Sequence, residues 1–362
     1  MTIIEFGWNE NWNQQFEPLA GQGLIPARVT AAFSWQYEIV SSLGKGNAQV
    51  TGKLRHNALY SALRPAVGDW VAVKFVGEDS YLIHAVLPRT SCLQRQKVDG
   101  DVEAQVVACN VDVCLIMQSL QGDFSIPRLD RYIAFAINAS TAPVIILTKS
   151  DLVPDAEELT EQVRATYPDI AVYPVSALTG LGLDQIRELL VAYQTYVAVG
   201  SSGVGKSTLL NVLSGAKLMN TAEVREEDQR GRHTTTNRRM FRLPNGSLYI
   251  DTPGIRELAL FDYDGLGGSF WDIEELAVNC KFRDCLHINE PGCAVQRAIL
   301  AGDLDPERLE SYDKMKREEK TYRSKHILLN KKVAKAKIKR SKVHYKDYVR
   351  GGAKRDSWPC KY

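Results

Sequence analysis

Hydrophobic positions change rhythm along this chain. Between Ala27 and about Leu93 they fall in short β-branched or aromatic runs: "ARVTAAF", "YEIVSS", "AQVTGKLR", "DWVAVKF" and "YLIHAVL". Stretches with Gly and Asp, such as "LGKGN" and "VGED", separate several of them. Such runs read as strands, and five of them within residues 27–93 predict a small all-β barrel of the OB type. Residues 1–26 show no clear period and read as an N-terminal extension, and residues 94–110, within "SCLQRQKVDGDVEAQVVACN", read as a linker.

From Val111 the texture is α/β. "VDVCLIM", "PVIIL", "IAVYPV" and "YVAVG" are continuous apolar strands, and "LYI" runs into Asp251. Helical spacing puts Leu129, Ile133 and Ala136 on one face, and "DAEELTEQVRATY" predicts a helix with an acidic start. Strands alternating with helices imply a parallel sheet. Past Asp305 the chain turns helical and increasingly basic, and no internal repeat is evident.

Composition adds two points. No early run of 18 apolar residues suggests a membrane span, and "MTIIEFGWNENWNQQF" is acidic and polar where a secretion signal is basic and then apolar. A cytoplasmic protein is therefore expected. The net charge of +2 hides an asymmetry: residues 314–355 hold 17 Lys and Arg against 3 Asp and Glu, leaving 28 basic and 40 acidic residues elsewhere. An acidic body with a basic tail suits a polyanionic partner such as nucleic acid, although such a block also occurs as a merely solvated helix end.

Gly200-Ser201-Ser202-Gly203-Val204-Gly205-Lys206-Ser207-Thr208 matches the phosphate-loop pattern in full, with a strand before it and a helix after. Glycines let successive N–H groups converge on phosphate oxygens, Lys206 neutralises the β- and γ-phosphates, and the Ser207 hydroxyl suits Mg²⁺. Asp251-Thr252-Pro253-Gly254 follows a later strand; the carboxylate suits Mg²⁺ through water and the Gly254 N–H the γ-phosphate. Upstream of both, Thr148-Lys149-Ser150-Asp151 resembles a guanine-reading loop. The Asp151 carboxylate accepts from two donors that guanine has and adenine lacks, and the Lys149 stem covers the base. Thr148 stands where Asn is more usual, which loses an amide donor and predicts a slightly less rigid base loop. Ser176-Ala177 follows at the distance of the loop whose N–H meets the guanine O6. The order is thus base loop, second base loop, phosphate loop, then switches: a GTPase rotated by one cut. A buried sheet tolerates such a cut at a surface loop.

The residue after Gly254 is Ile255, which cannot orient water as a glutamine does in Ras-like enzymes. Between the phosphate loop and "DTPG" lies Gly231-Arg232-His233-Thr234-Thr235-Thr236, where switch I belongs. Thr235 is the favoured completion of the Mg²⁺ shell. His233 is either a water-orienting group or general base, or a plain surface histidine. Cys280, Cys285, His287 and Cys293 offer three thiolates and an imidazole within 14 residues, a closed tetrahedral set for one structural Zn²⁺. Cys92, Cys109, Cys114 and Cys360 show no ligand spacing and read as packing or exposed thiols.

The predicted class is α/β. A circularly permuted P-loop GTPase domain (111–265) follows an all-β OB-type barrel (27–93), and a small helical zinc-binding subdomain (266–345) and a basic tail (346–362) come after it. With "GSSGVGKSTLLN", "GRHTTT" and "DTPGIREL", this layout resembles the circularly permuted, small-ribosomal-subunit-dependent GTPases of the RsgA family over residues 27–345. The resemblance implies GTP hydrolysis to GDP and phosphate, slow alone, stimulated by the small subunit, in that subunit's late maturation. It implies rRNA as partner, Mg²⁺ and one Zn²⁺ as ions, and catalysis by His233 and Lys206. A monomer with no membrane contact is expected. Rival readings are a GTP-binding RNA chaperone without turnover, and an ATPase of another class.

Overall fold

Short β-branched and aromatic runs form five strands in the first part of the chain: β1 (Ile25–Phe33), β2 (Gln36–Ser41), β3 (Gly44–Val50), β4 (Trp70–Gly77) and β5 (Ser80–Val86). They are seen in a computed structural model that describes residues 2–57, 64–96, 104–122, 124–217, 238–251, 269–321 and 324. Val29, Tyr37, Ile39, Val71, Tyr81 and Ile83 point into one closed core. β1 pairs with both β2 and β4, and β3 runs parallel to β5, which closes the strands into the expected OB-type barrel.

Several local expectations change. "AQVTGKLR" is not one strand: pairing stops at Val50, and Gly52–Asn57 form helix α2. The Thr51 hydroxyl accepts from Leu54 N at 3.3 Å, a local bond that competes with the strand ladder. "LGKGN" is not a separator, because Gly44–Asn47 lie within β3. Gly46 is required there, since a Cβ would stand 2.4 Å from both the Asp79 carbonyl and the Tyr81 ring. Residues 94–110 are not a plain linker: β6 (Cys92–Gln96) and β7 (Ala104–Cys109) pair as an antiparallel hairpin. Nor is the N-terminus a loose extension. A 3-10 turn at Ile3–Phe6 and helix α1 (Glu10–Ala20) bury Ile3, Phe6, Trp12 and Phe16 beside Trp70. The signal was weak because only a narrow face of α1 is apolar, with Trp12 and Phe16 one turn apart.

Five further strands run parallel: β8 (Val113–Ser119), β9 (Ala142–Thr148), β10 (Val172–Val175), β11 (Thr195–Val199) and β13 (Leu248–Asp251). Helices α3 (Ile126–Asn138) and α4 (Ala156–Thr166) cover one face, where Cys114 and Ile116 meet Leu129, Ile133 and Val163. Helices α5 (Leu183–Leu189) and α6 (Lys206–Ser214) cover the other, where Leu115 and Met117 meet Ile186 and Leu209. Burial on both faces is why these strands read as unbroken apolar runs.

One strand had no sequence signal. β12 (Arg238–Arg242), "RRMFR", buries only Met240, yet it pairs antiparallel with β13 on one side and β1 on the other. Barrel and α/β sheet thereby form one sheet of eleven strands, β10-β9-β8-β11-β13-β12-β1-β2-β3-β5-β4. Behind it, helices Trp271–Val278, Ala294–Ala301 and 306–321 enclose a small core of Phe270, Ile273, Val295, Leu309 and Tyr312. Arg308 fastens this unit to α3. It pairs with Asp130 at 2.8 Å and with Asp272, and donates to Ser269 O at 2.8 Å.

Arg28 in β1 is the buried junction of the larger pieces. Its guanidinium donates to Asn110 O at 3.0 Å, Thr195 Oγ1 at 2.9 Å, Gly68 O at 3.3 Å and Phe6 O. It also lies 5.0 Å from the Trp70 ring centre. Burial lowers its pKa to about 10 against the pull of Asp112 and Asp69, so it stays charged at neutral pH. Removing it leaves several buried acceptors unpaired. Arg28→Ala is expected to cost about 3–5 kcal/mol of folding stability. A urea-unfolding midpoint equal to that of the wild type would refute this account of the junction.

Candidate nucleotide site and metal centre

Because β8, β9, β10, β11 and β13 are parallel, their carboxyl ends share one edge of the sheet, the usual place for ligands in such folds. The phosphate loop leaves β11 at that edge. Gly200 has φ 146° and lies so close to β8 that a Cβ would stand 2.2 Å from Met117 O. Gly203 and Gly205 also have positive φ, at 76° and 99°. Gly205 is the N-cap of α6, so Lys206, Ser207 and Thr208 form its first turn with their N–H groups aimed at the loop. Val204 is buried and anchors the loop in the apolar face below. The Lys206 ammonium donates to Gly200 O at 2.7 Å and Ser201 O at 2.6 Å, within the loop that it would serve.

The base loop leaves β9 two strands away, at the same edge. Lys149 takes a left-handed conformation, φ 58°, and Ser150–Leu152 form a 3-10 turn that leaves Asp151 exposed. Thr148 does more than its missing amide suggests. Its hydroxyl donates to Val204 O at 2.7 Å and lies 3.3 Å from Gln118 O, joining the base loop to the phosphate loop across β8. The expected loss of rigidity is thus offset by a buried bond. The third loop follows β10. Ser176 is fully buried, its N–H donates to Leu181 O at 3.0 Å, and its hydroxyl accepts from Thr179 N at 3.1 Å. Gly182 closes this loop against Pro174 O, where a Cβ would stand 2.2 Å away. Ala177 is half-buried in the turn, and Asp251 ends β13 beside β11.

The edge therefore brings together Thr148, Lys149, Ser150 and Asp151, Ser176 and Ala177, the loop from Gly200 to Thr208, and Asp251. The readings on His233, Thr235, Gly254 and Ile255 lie outside the described residues, as does the tail 346–362.

The Cys/His cluster forms a second centre. One ligand atom each from Cys280, Cys285, His287 and Cys293 lies within 4.8 Å of the others. Cys280 Sγ is 3.7 Å and Cys293 Sγ 3.5 Å from His287 Nδ1, and the two sulfurs are 3.9 Å apart. Ligands about 2.3 Å from a tetrahedral ion stand about 3.8 Å from one another, so the donors fit a single metal ion. Groups that carried no sequence signal support them. Glu290 accepts from Leu286, Ile288 and Asn289 N–H at 2.9, 2.9 and 3.1 Å and folds the loop around His287. Gln296 donates to His287 O, and Ala294 and Gln296 N–H donate to Cys280 and Cys293 Sγ at 3.3 and 3.4 Å. Such outer bonds orient ligands and favour thiolates. Glu290 was legible only as an acidic residue near a turn; its use needs the folded loop.

A guanine-type base loop and a phosphate loop in rotated order, on one edge of a parallel sheet, define a circularly permuted GTPase. A family model described as RsgA GTPase matches residues 86–261. The chain is 42% identical over 82% of its length to "Small ribosomal subunit biogenesis GTPase RsgA 2" of Lactiplantibacillus plantarum, covering 84% of that protein. The chain belongs to the RsgA family. It is 40% identical to the RsgA of Syntrophotalea carbinolica, covering 88% of this chain and 90% of that protein. The solved structure of YjeQ from Thermotoga maritima matches with a TM-score of 0.63 at 25% identity, over 82% of this chain and 98% of that one. That of YloQ, titled a circularly permuted GTPase, matches with a TM-score of 0.59 at 25% identity, over 82% and 96%. A second model, described as 50S ribosome-binding GTPase, matches residues 195–331. The protein is a ribosome biogenesis GTPase, and no helix among the described residues is long and apolar enough to cross a membrane.

Thr148→Val keeps the side-chain shape but leaves Val204 O without its donor. GTP and GDP affinity is expected to fall about tenfold, from the loss of roughly 1–2 kcal/mol of loop positioning. Fluorescence titration with a labelled guanine nucleotide measures this, and unchanged affinity would separate the two loops energetically.

Proposed function

We propose that this GTPase acts on the small ribosomal subunit late in its maturation, and that the subunit stimulates its conversion of GTP to GDP and phosphate. The observation that carries the reading is the convergence of both base loops, the phosphate loop and Asp251 at one sheet edge. Relatives named for small-subunit biogenesis supply the partner. In this reading Asp151 accepts from the guanine donors, Lys149 covers the base, Ser150 shapes the turn, and the Ser176-Ala177 backbone meets the O6. The N–H groups from Gly200 through Thr208 cradle the phosphates, Lys206 neutralises developing charge, and the Gly254 N–H meets the γ-phosphate. Ser207, Thr235 and Asp251 would hold Mg²⁺, which would neutralise phosphate charge when bound.

His233 orients the attacking water or takes its proton, because Ile255 can do neither. The subunit accelerates the step by positioning this loop rather than by new chemistry. The barrel, the Cys/His subdomain and the basic run 314–355 face the rRNA, and the protein works as a cytoplasmic monomer. The Cys/His cluster holds one structural Zn²⁺, since four protein donors leave no open position.

GTP turnover titrated with purified small and large subunits tests the reading. The small subunit should raise turnover strongly. Stimulation by the large subunit alone would favour the reading suggested by the model described as 50S ribosome-binding. His233→Ala is expected to keep nucleotide binding and subunit association while losing about 10²-fold of the stimulated rate. Near-wild-type stimulated turnover in that variant would assign the water to another residue.

Metal analysis of protein purified without chelator should give one zinc per chain. Cys285→Ser should lower zinc content and the melting temperature while guanine-nucleotide affinity holds near the wild-type value. Full stability after complete zinc removal would make the ion dispensable to the fold.

A further inference from the structure

Two thiols in the β6–β7 hairpin belong to neither the nucleotide site nor the metal centre. Cys92 and Cys109 are direct partners in the antiparallel register. Their N–H groups donate elsewhere, Cys92 to Ala139 O and Cys109 to Val67 O, both at 3.0 Å. The pair therefore occupies a position without ladder hydrogen bonds, where facing side chains come closest, with Cα atoms typically about 4.5 Å apart. Disulfides span Cα separations of about 4.4–6.8 Å. The two Sγ atoms are 3.7 Å apart and both cysteines are free thiols. Closing that gap asks for side-chain rotation rather than backbone movement.

The two sulfurs differ in setting. Cys109 is buried, while Cys92 is partly exposed. Arg89, held by Asp69 at 2.7 Å, places Nη1 3.9 Å from Cys92 Sγ. Gln94 Nε2 donates to the same sulfur at 3.3 Å. The hydrogen bond from Cys109, with the Arg89 charge and Gln94, brings the Cys92 thiol down to about 7 against burial and the Asp69 charge. Burial pushes the Cys109 thiol well above its ordinary range. One sulfur is thus partly exposed and more readily ionised, and the other is a buried thiol within reach, the arrangement of an attacking and a resolving thiol.

We propose that Cys92 and Cys109 are a peroxide-oxidised dithiol, a reversible modification site at the joint between the barrel and the α/β sheet. The Cys92 thiolate attacks one oxygen of hydrogen peroxide. The O–O bond breaks, Cys92 becomes a sulfenic acid, and hydroxide leaves. The Cys109 sulfur then attacks Cys92 Sγ, the S–S bond forms, and the sulfenic oxygen departs as water with the thiol proton. The hydroxide takes up the proton that the Cys92 thiol released on ionising, so two thiols lose two electrons in all and one peroxide becomes two waters. A small thiol reductant reverses the bond by exchange. The hairpin is the stretch of chain between β5 and β8, and Gly68 packs so closely on it that a Cβ would stand 2.0 Å from Cys109 O. A disulfide there staples the connection between barrel and sheet.

The test is graded hydrogen peroxide on the full-length protein, followed by alkylation, trypsin digestion and tandem mass spectrometry. Trypsin cuts after Arg95 and Lys97, so a Cys92–Cys109 bond joins two separate peptides. Cys114 shares the second peptide, and fragmentation assigns the sulfur. The expected result is a Cys92–Cys109 link that dithiothreitol removes. Before oxidation, Cys92 should alkylate at least tenfold faster than Cys109. Cys109→Ser should trap a Cys92 sulfenic acid that dimedone labels, and the oxidised wild type should melt several degrees higher than peroxide-treated Cys92→Ser. The proposal is overturned if both thiols alkylate fully after peroxide has oxidised free glutathione in the same tube. A link through Cys114, or dimedone labelling of Cys109 in Cys92→Ser, would also overturn it.

Discussion

Burial of the parallel sheet on both faces is the constraint on which the rest of this molecule depends. Once Leu115 and Met117 must face α5 and α6 while Cys114 and Ile116 face α3 and α4, the neighbours of β8 are set by packing, not by chain order. The sequence order of the motifs is then free to rotate. β11 lies between β8 and β13 although α5 brings it from the far edge strand β10. Its loop leaves the same edge as the base loops because the strands are parallel. The phosphate loop and base loop are 56 residues apart at Val204 and Thr148, yet share a 2.7 Å hydrogen bond. Function survives the cut because it resides in the edge.

A second constraint attaches the barrel. β12 shares its two sides between β13 and β1, so the barrel continues the catalytic sheet. Arg28 adds a side-chain tie at the same joint and stays buried because four carbonyl or hydroxyl oxygens and the Trp70 ring replace its water. Only a cation that keeps its bonds is tolerable at that depth. β12 begins just after the segment read as switch I and β13 ends at Asp251, so the strands that border the nucleotide loops also carry the barrel. A change in either loop that shifts β12 has a direct backbone route to β1.

What the sequence made legible was whatever is local in the chain. The phosphate loop, "TKSD" and the Cys/His spacing are each complete within a few residues, and each residue type has its own chemical reason. The barrel's strands were legible through their short β-branched and aromatic runs, and the buried strands of the α/β sheet through their continuous apolar runs. Illegible were features whose partners lie far apart. Arg28 meets Thr195 across 167 residues, and Arg308 meets Asp130 across 178. β12 was hidden because an Arg-rich strand with one buried residue carries no period. The hairpin at Cys92 and Cys109 was hidden because a polar middle, "QKVDGDVE", made both arms look like linker. Thr148 was misjudged for a related reason: comparison with Asn counted the donor it lacks, whereas the donor it has finds Val204.

The Cys/His subdomain shows how a site distant from the nucleotide edge can still belong to the same machine. Its own core is small, and a unit of this size needs further fastening. The Cys280, Cys285, His287 and Cys293 side chains converge at one end, where a metal ion would cross-link them, while Arg308 closes the other by pairing with Asp130 in α3. α3 packs on β8 and β9, whose ends carry Gln118 and Thr148. From the cluster to the base loop the path therefore runs through one small core, one buried ion pair and one helix. The buried ion pair is the exacting step: burial pushes the Asp130 carboxyl upward while the Arg308 charge and hydrogen bond oppose that shift, so removing either partner leaves the other buried without its counterpart. Displacing the subdomain would strand the Asp130 carboxylate on α3, which opposes separation of the Cys/His subdomain from the helix that backs the base loop.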